Sequence, residues 1–136
     1  MGNGVTEKQR IEALTDQILG AAIEVHKALG PGLLESAYLS CLLHELSVRG
    51  MRCRSEVAVP VLYKEVRLDC GYRLDLLVEE EVVVELKAVE SLLPIHSAQV
   101  ITYLRLTGKA VGLLLNFNVI LLKNDIKRLI NPAVTL

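Results

Sequence analysis

Between Tyr72 and Lys87 the chain carries an aspartate, a short acidic turn, and a glutamate two residues ahead of a lysine. The run reads Tyr72-Arg73-Leu74-Asp75-Leu76-Leu77-Val78, Glu79-Glu80-Glu81, Val82-Val83-Val84-Glu85-Leu86-Lys87. The apolar stretches on either side of the acidic turn predict the two strands of a hairpin. With the turn centred on Glu80, Asp75 falls opposite Glu85, and alternation puts Glu85 and Lys87 on one face that Asp75 joins only in that register. Two carboxylates then face each other at roughly 5 Å between Cβ atoms, with an ammonium beside them. Carboxylates this close repel unless a cation sits between them. Asp75, Glu85 and the backbone carbonyl of Leu86 form an oxygen-rich donor set suited to Mg²⁺ or Mn²⁺ with waters left in the shell. Metal-assisted hydrolysis of a phosphodiester is the chemistry this implies, with Lys87 positioning a water or stabilising developing negative charge.

The same charges also fit a solvated antiparallel face on which Glu85 and Lys87 merely pair. Against that, Val82-Val83-Val84 and Leu74, Leu76 and Leu77 make near-continuous apolar runs, suited to strands buried on both faces, where lone charge is costly.

Further groups stand at spacings that could serve the same chemistry. His96, Gln99 and Tyr103 share one face of a predicted helix after the hairpin, where they can either reach the polar end of the hairpin or form the wet side of an amphipathic helix. A lone histidine such as His96 is given no metal role. Glu35 and Tyr38 stand one turn apart at the start of another predicted helix; Glu35 is either a charge favoured by the helix dipole or an extra carboxylate aimed at the metal. Arg49, Arg52 and Arg54 form the densest basic cluster, which can flank a site or solvate a helix end. Cys41, Glu24, Glu56 and Asn116 belong to no constellation.

The elements that must position these groups follow from periodicity. Helical spacing runs from Thr15 to Leu29, Gly30-Pro31-Gly32 breaks it, and Leu33 to Val48 resumes it before Gly50. Cys53 to Leu68 alternates in the manner of one or two strands, interrupted by Pro60 and by a turn near Lys64. After the hairpin, Ser91 to Thr107 is helical with Gly108 as its stop, and Val111 to Leu115 is a short buried strand. Val119 to Leu122 and Ile126 to Ile130 are weaker strand candidates, and the tail from Asn131 is irregular. This order predicts an α/β sandwich with a mixed sheet, the helix after Lys87 being long enough for a right-handed crossover to the Val111 strand.

Bulk composition bounds the rest. The 136 residues suit a single domain, 1–136, with a core of about 15–130. Lys and Arg number 15 against 16 Asp and Glu, so the net charge of −1 offers no global attraction to nucleic acid, and a polyanion must be held by a local patch or by metal. The hydrophobic fraction of 51% is high, yet no run reaches the ~18 apolar residues of a membrane span. The excess points to buried strands or a homodimer interface. The polar stretch from Met1 to Arg10 shows no secretory signal, and three unpaired cysteines, Cys41, Cys53 and Cys70, suit reduced thiols in a cytoplasm.

Gly32-Leu33-Leu34-Glu35-Ser36-Ala37-Tyr38 resembles the pattern that names the GxxExxY protein family, and Asp75, Glu85-Leu86-Lys87 and Gln99 through Tyr103 are similar to the rest of its signature. The resemblance spans about Ile18 to Ile130 and places the chain in the PD-(D/E)xK nuclease superfamily. It implies a restriction-endonuclease-like αβββαβ core, a mixed central sheet flanked by helices, with an extra N-terminal helix. It also implies Asp75 and Glu85 as metal ligands, Lys87 as the catalytic lysine and Glu35 as an accessory acid. Gln99 and Tyr103 resemble a QxxxY element of the recombination-exonuclease branch. The proline that precedes the aspartate in this superfamily is replaced by Leu74, which is not a ligand position. The functional expectation is a metal-dependent nuclease acting on DNA, or less so RNA. The alternatives are a non-catalytic nuclease-fold domain acting as a partner-binding or regulatory module, and a toxin or defence component that needs a protein partner.

Overall fold

The protein is described by a computed structural model covering residues 4–136. Helix α1 (Glu7–Leu29) begins well ahead of Thr15 because Thr6 builds a reciprocal cap: its hydroxyl accepts from the Gln9 amide, and the Gln9 side chain accepts from the Thr6 amide, each at 3.1 Å. Gly30 (φ 68°) and Gly32 (φ 98°) turn the chain into helix α2 (Glu35–Val48).

The Cys53–Leu68 segment forms three strands rather than one or two: β1 (Cys53–Ala58), β2 (Val61–Tyr63) and β3 (Val66–Leu68). Pro60 ends the β1 ladder. Lys64 and Glu65, both at positive φ, make a two-residue hairpin turn without the Asn or Gly that usually announces one. β4 (Arg73–Val78), β5 (Val82–Lys87), α3 (Pro94–Thr107), β6 (Val111–Asn116) and β7 (Ile126–Ile130) complete the order. Val119 to Leu122 is not a strand. His26 Nε2 lies 3.1 Å from the Phe117 carbonyl and 2.8 Å from that of Val119, pinning this segment against α1, and a 3-10 turn follows at Leu122–Asn124.

The main sheet has the order β1-β4-β5-β6-β7, parallel between β5 and β6 and antiparallel elsewhere; β2 and β3 pair only with each other. This is the restriction-endonuclease-like arrangement of a mixed sheet between helices. Leu76, Val78, Val82, Val84, Leu86, Val111, Leu113 and Leu115 pack against Ile18, Ala22, Leu42 and Leu46 of α1 and α2. Leu77, Val83 and Leu114 face Val100, Tyr103 and Leu104 of α3. Both faces of β5 are therefore covered, which explains its unbroken apolar run.

Helix α3 approaches β6 so closely that a Cβ on Gly112 would lie 2.6 Å from Val100 Cγ1. Val100 is fully buried and β-branched, so it cannot swing aside. Gly112→Ala is expected to destabilise the fold by about 1–3 kcal/mol through overpacking. Adding Val100→Ala should make the double variant more stable than the sum of the single effects. Urea denaturation of the four proteins checks this, and strictly additive losses would contradict the contact.

Candidate active site

From the acidic turn, β4 and β5 run as an ordinary antiparallel ladder, pairing Val78 with Val82, Leu77 with Val83 and Leu76 with Val84. Asp75 and Glu85 come next in that register, and there side chains take over from the backbone. Glu85 Oε1 accepts from the Asp75 amide at 2.8 Å, and Asp75 Oδ2 accepts from the Leu86 amide at 2.8 Å. Side-chain alternation in β4 shifts at the same point: Leu76 packs in the α1–α2 layer, while Leu74 joins Leu77 in the α3 layer. Across from Asp75 on the other side, Glu56 of β1 stands at φ 53° and is skipped by the β1–β4 pairing. The sheet thus loosens around Asp75 on both flanks.

Burial sets the electrostatics. Glu85 is 3% exposed, and removal from water, then the charge of Asp75, push its carboxyl up to about 8. The Asp75 amide and the Lys87 ammonium oppose that shift. Asp75 is also raised, first by desolvation and then by Glu56, against the Leu86 amide and Lys87. Glu35, exposed at the start of α2, is raised by desolvation, by Asp75 and by Glu56, with Lys87 opposing. Four carboxylates and one lysine therefore share one field. Glu56 is the member that sequence reasoning missed: a strand residue next to a hairpin gives no sign of its partner until the β1–β4 register is known.

Lys87 sits half-buried at the end of β5, and its Nζ donates to Gln99 Oε1 at 3.2 Å. Gln99 Nε2 in turn donates to the Tyr103 hydroxyl at 3.3 Å. The i and i+4 positions on α3 thus form a relay to the lysine. The Tyr103 phenol is held above its usual range by burial and then by the charges of Glu85 and Asp75. His96 has a different role: its Nδ1 accepts from the Leu93 amide at 3.0 Å and caps the start of α3.

The glycine, glutamate and tyrosine of the Gly32–Tyr38 stretch divide their work. Gly32 supplies the left-handed turn and Glu35 opens α2 beside the carboxylates. Tyr38, fully buried, donates from its hydroxyl to the Gly30 carbonyl at 2.6 Å, accepts from the Leu33 amide at 3.1 Å, and stacks on Phe117 at 4.7 Å. Asn116, set aside in the sequence, clasps the loop after β5: its side chain bonds both the amide and the carbonyl of Val89, and also Asp125.

The arginine cluster lies at the other end of the sheet. Arg52 pairs with Glu79 and Arg54 with Glu80 at the hairpin turn, and Arg49 pairs with Glu45. These arginines do not flank Asp75.

Among the described residues no three His, Cys, Asp or Glu side chains gather closely enough to hold an ion by themselves. The side chains brought together are the two carboxylates of Asp75 and Glu85. Within one strand residue the N–H and C=O project to the same side, so the Leu86 carbonyl looks toward β4 as its amide does. Hard oxygen donors completed by water suit Mg²⁺ or Mn²⁺.

Residues 12–129 match the family profile of the PD-(D/E)XK nuclease superfamily. The chain belongs to that superfamily, whose members generally use divalent metals and act on nucleic acid. Comparison with curated proteins finds no match, and neither does comparison with solved structures. Among the described residues no helix is long and apolar enough to cross a membrane.

A pH dependence follows from Glu85. Its folded pKa of about 8 lies above the ordinary carboxylate value, so between the two the native state keeps a proton that the unfolded chain has lost. Stability of the metal-free protein must then fall as pH rises through that window. Thermal denaturation in chelator should show Tm dropping from pH ~5 to ~8.5, and Glu85→Gln, which can still accept from the Asp75 amide, should remove most of the drop. At the alkaline end the variant should be the more stable by at least about 3 °C, at roughly 3–5 °C per kcal/mol. Superimposable pH profiles would show that Glu85 is not held protonated.

Proposed function

We propose that the protein is a divalent-metal-dependent nuclease that hydrolyses phosphodiester bonds, in DNA before RNA, and a member of the GxxExxY family within its superfamily. The observation that carries this reading is the exchange of hydrogen bonds between Asp75 and the Glu85–Leu86 segment, which holds a buried and a half-buried carboxylate together beside one lysine. Once both carboxylates are ionised, one lysine cannot balance them, and a bound cation would complete that charge pattern.

Mg²⁺ or Mn²⁺ would be held by Asp75, Glu85 and the carbonyl of Leu86, with Glu35 as an accessory acid at the rim. When bound, the ion supplies positive charge against the phosphodiester and acidity to a water. Lys87, fixed by Gln99, holds its ammonium where negative charge develops on a non-bridging oxygen. Gln99 orients that lysine through one oxygen and is itself held by Tyr103, so the relay keeps a flexible side chain in one position. The exposed apolar residues of β2 and β3, Leu62, Tyr63, Val66 and Leu68, offer a surface for the homodimer that the composition suggests.

Mn²⁺ titration by calorimetry, then cleavage assays on linear, nicked, branched and single-stranded DNA and on RNA, test the proposal. Glu85→Ala and Lys87→Ala are each expected to lower turnover by at least about a hundredfold, the scale of removing a positioned charge from a transition state. Asp75→Ala is expected to abolish Mn²⁺ binding. A wild-type protein that binds Mn²⁺ yet cleaves none of these substrates would instead favour the partner-binding module, and one that binds no divalent ion would favour it more strongly.

A further inference from the structure

Beside the carboxylates lies a second feature that metal hydrolysis does not use. A cleft of about 650 Å³ runs from Lys87 and Gln99 along α3 to the root of the β2–β3 hairpin, walled by Val61, Tyr72, Ile95 and Leu106. It is far larger than an ion with its waters needs, and it falls within the roughly 300–1,000 Å³ typical of small-ligand sites. Lys87, Gln99 and the Tyr103 hydroxyl form one linked polar group in it, and most of the exposed lining is apolar or aromatic. Ile95 is 66% exposed and Tyr72 is 49% exposed, so this surface meets solvent. Tyr72 is braced edge-on by buried Tyr103 at 6.4 Å between ring centroids and 66° between planes. A ring fixed in that way presents a ready stacking face.

Resting on the nuclease reading above, we propose that this cleft takes an unstacked nucleobase next to the phosphodiester bound at Lys87, so that the substrate is single-stranded nucleic acid. A paired duplex shows a protein its phosphates and groove edges, and its base faces are already stacked. An apolar wall adjoining the phosphate position would then have nothing to cover. A single strand offers a π-face at every residue, which an aromatic side chain accepts whatever the sequence. Charge argues the same way. The net charge is −1, and Arg49, Arg52 and Arg54 are engaged with Glu45, Glu79 and Glu80, so phosphate contacts alone supply little attraction. Stacking provides affinity that does not depend on a basic stripe. The wall itself comes from the hairpin: β2 and β3 leave the main sheet at Pro60 and return at Gly71, next to Tyr72, so they stand at the end of the sheet that carries Lys87.

The test measures anisotropy of a fluorescein-labelled short strand and of its blunt duplex in Ca²⁺, then cleavage of both in Mn²⁺. Wild type is expected to bind the single strand at least about tenfold more tightly than the duplex. Tyr72→Ala, and Ala98→Trp, which fills the cleft from an exposed position on α3, should each weaken single-strand binding by about tenfold or more while duplex affinity stays within about twofold. Tyr72→Phe keeps the ring and should restore binding, and Tm of each variant reports folding. Equal affinity for strand and duplex, or indifference of strand binding to both cleft variants, overturns the proposal. Cleft-dependent strand binding without cleavage in Mn²⁺ would uphold the cleft and remove the nuclease reading. Cleavage that ignores both variants would do the reverse.

Discussion

Two hydrogen bonds at the end of the β4–β5 ladder, from the Asp75 amide to Glu85 and from the Leu86 amide to Asp75, set the geometry of the candidate site, and the rest of the fold has to hold them. A regular antiparallel pair would have satisfied those amides with carbonyls and turned both side chains to the faces of the sheet. Here the carboxylates serve as acceptors in place of carbonyls, which draws them between the strands and toward each other. The amides lower the energy of the charged forms, and burial raises it; burial wins at Glu85, whose carboxyl is pushed up to about 8. Such an arrangement persists only if the surroundings over-determine it. β5 lies in the middle of the sheet with helices on both faces, and Val82 to Leu86 are buried without exception, so the strand has no freedom to slide or open. The apolar core holds in place a polar defect that would otherwise relax.

The same economy explains the loops at this end of the sheet. Lys87 and Asn116 are register partners at the ends of the parallel pair β5 and β6. Ligands of open α/β sheets gather beyond the carboxyl ends of such strands. Asn116 fastens the chain leaving β5, Tyr38 fastens the Gly30–Leu33 turn, and His26 fastens the segment after Phe117. Each clamp is a side chain bonded to loop backbone, and each lies outside the carboxylate pair. Removing one would loosen the frame that presents Glu35 and α3 while leaving the hairpin itself intact.

Much of this was legible in the sequence because the informative interactions are local. The Asp75–Glu85 register needs only a turn centred on Glu80, and one hairpin fixes it. The unbroken valines of β5 announced a strand covered on both faces. What escaped is what depends on partners distant in the chain. Glu56 meets Asp75 only through the β1–β4 pairing, a contact that spans the protruding hairpin. Val119 to Leu122 has the composition of a strand, but His26, more than ninety residues earlier, engages the Val119 carbonyl and that of Phe117 just before it. Arg49, Arg52 and Arg54 could by sequence flank a site or solvate a helix end; Arg52 and Arg54 instead pair with Glu79 and Glu80 of the acidic turn, and Arg49 with Glu45 one turn earlier on α2. The early start of α1 was readable from Thr6 and Gln9, but the polar first turn obscured the apolar period that usually marks a helix.

Charge placement has a consequence for how a polyanion can approach. At about 3.3 Å per residue, the acidic turn and its arginines sit roughly 20 Å along β5 from Lys87. At the functional end Lys87 faces Glu35, Glu56, Asp75 and Glu85, so with the carboxylates ionised the local field repels a phosphate. Protonating Glu85 relieves only part of that repulsion. On the proposed reading, a divalent cation and a nucleic-acid phosphate must therefore favour each other's binding, and linkage requires the effect to be equal in both directions. The proton on Glu85 competes with the cation for the same oxygen, so the coupling strengthens as pH rises toward about 8. On that reading the ionised carboxylates oppose a phosphate until a cation offsets them. Such coupling would let a protein of net charge −1 keep nonspecific attraction to nucleic acid low and still bind it at one place.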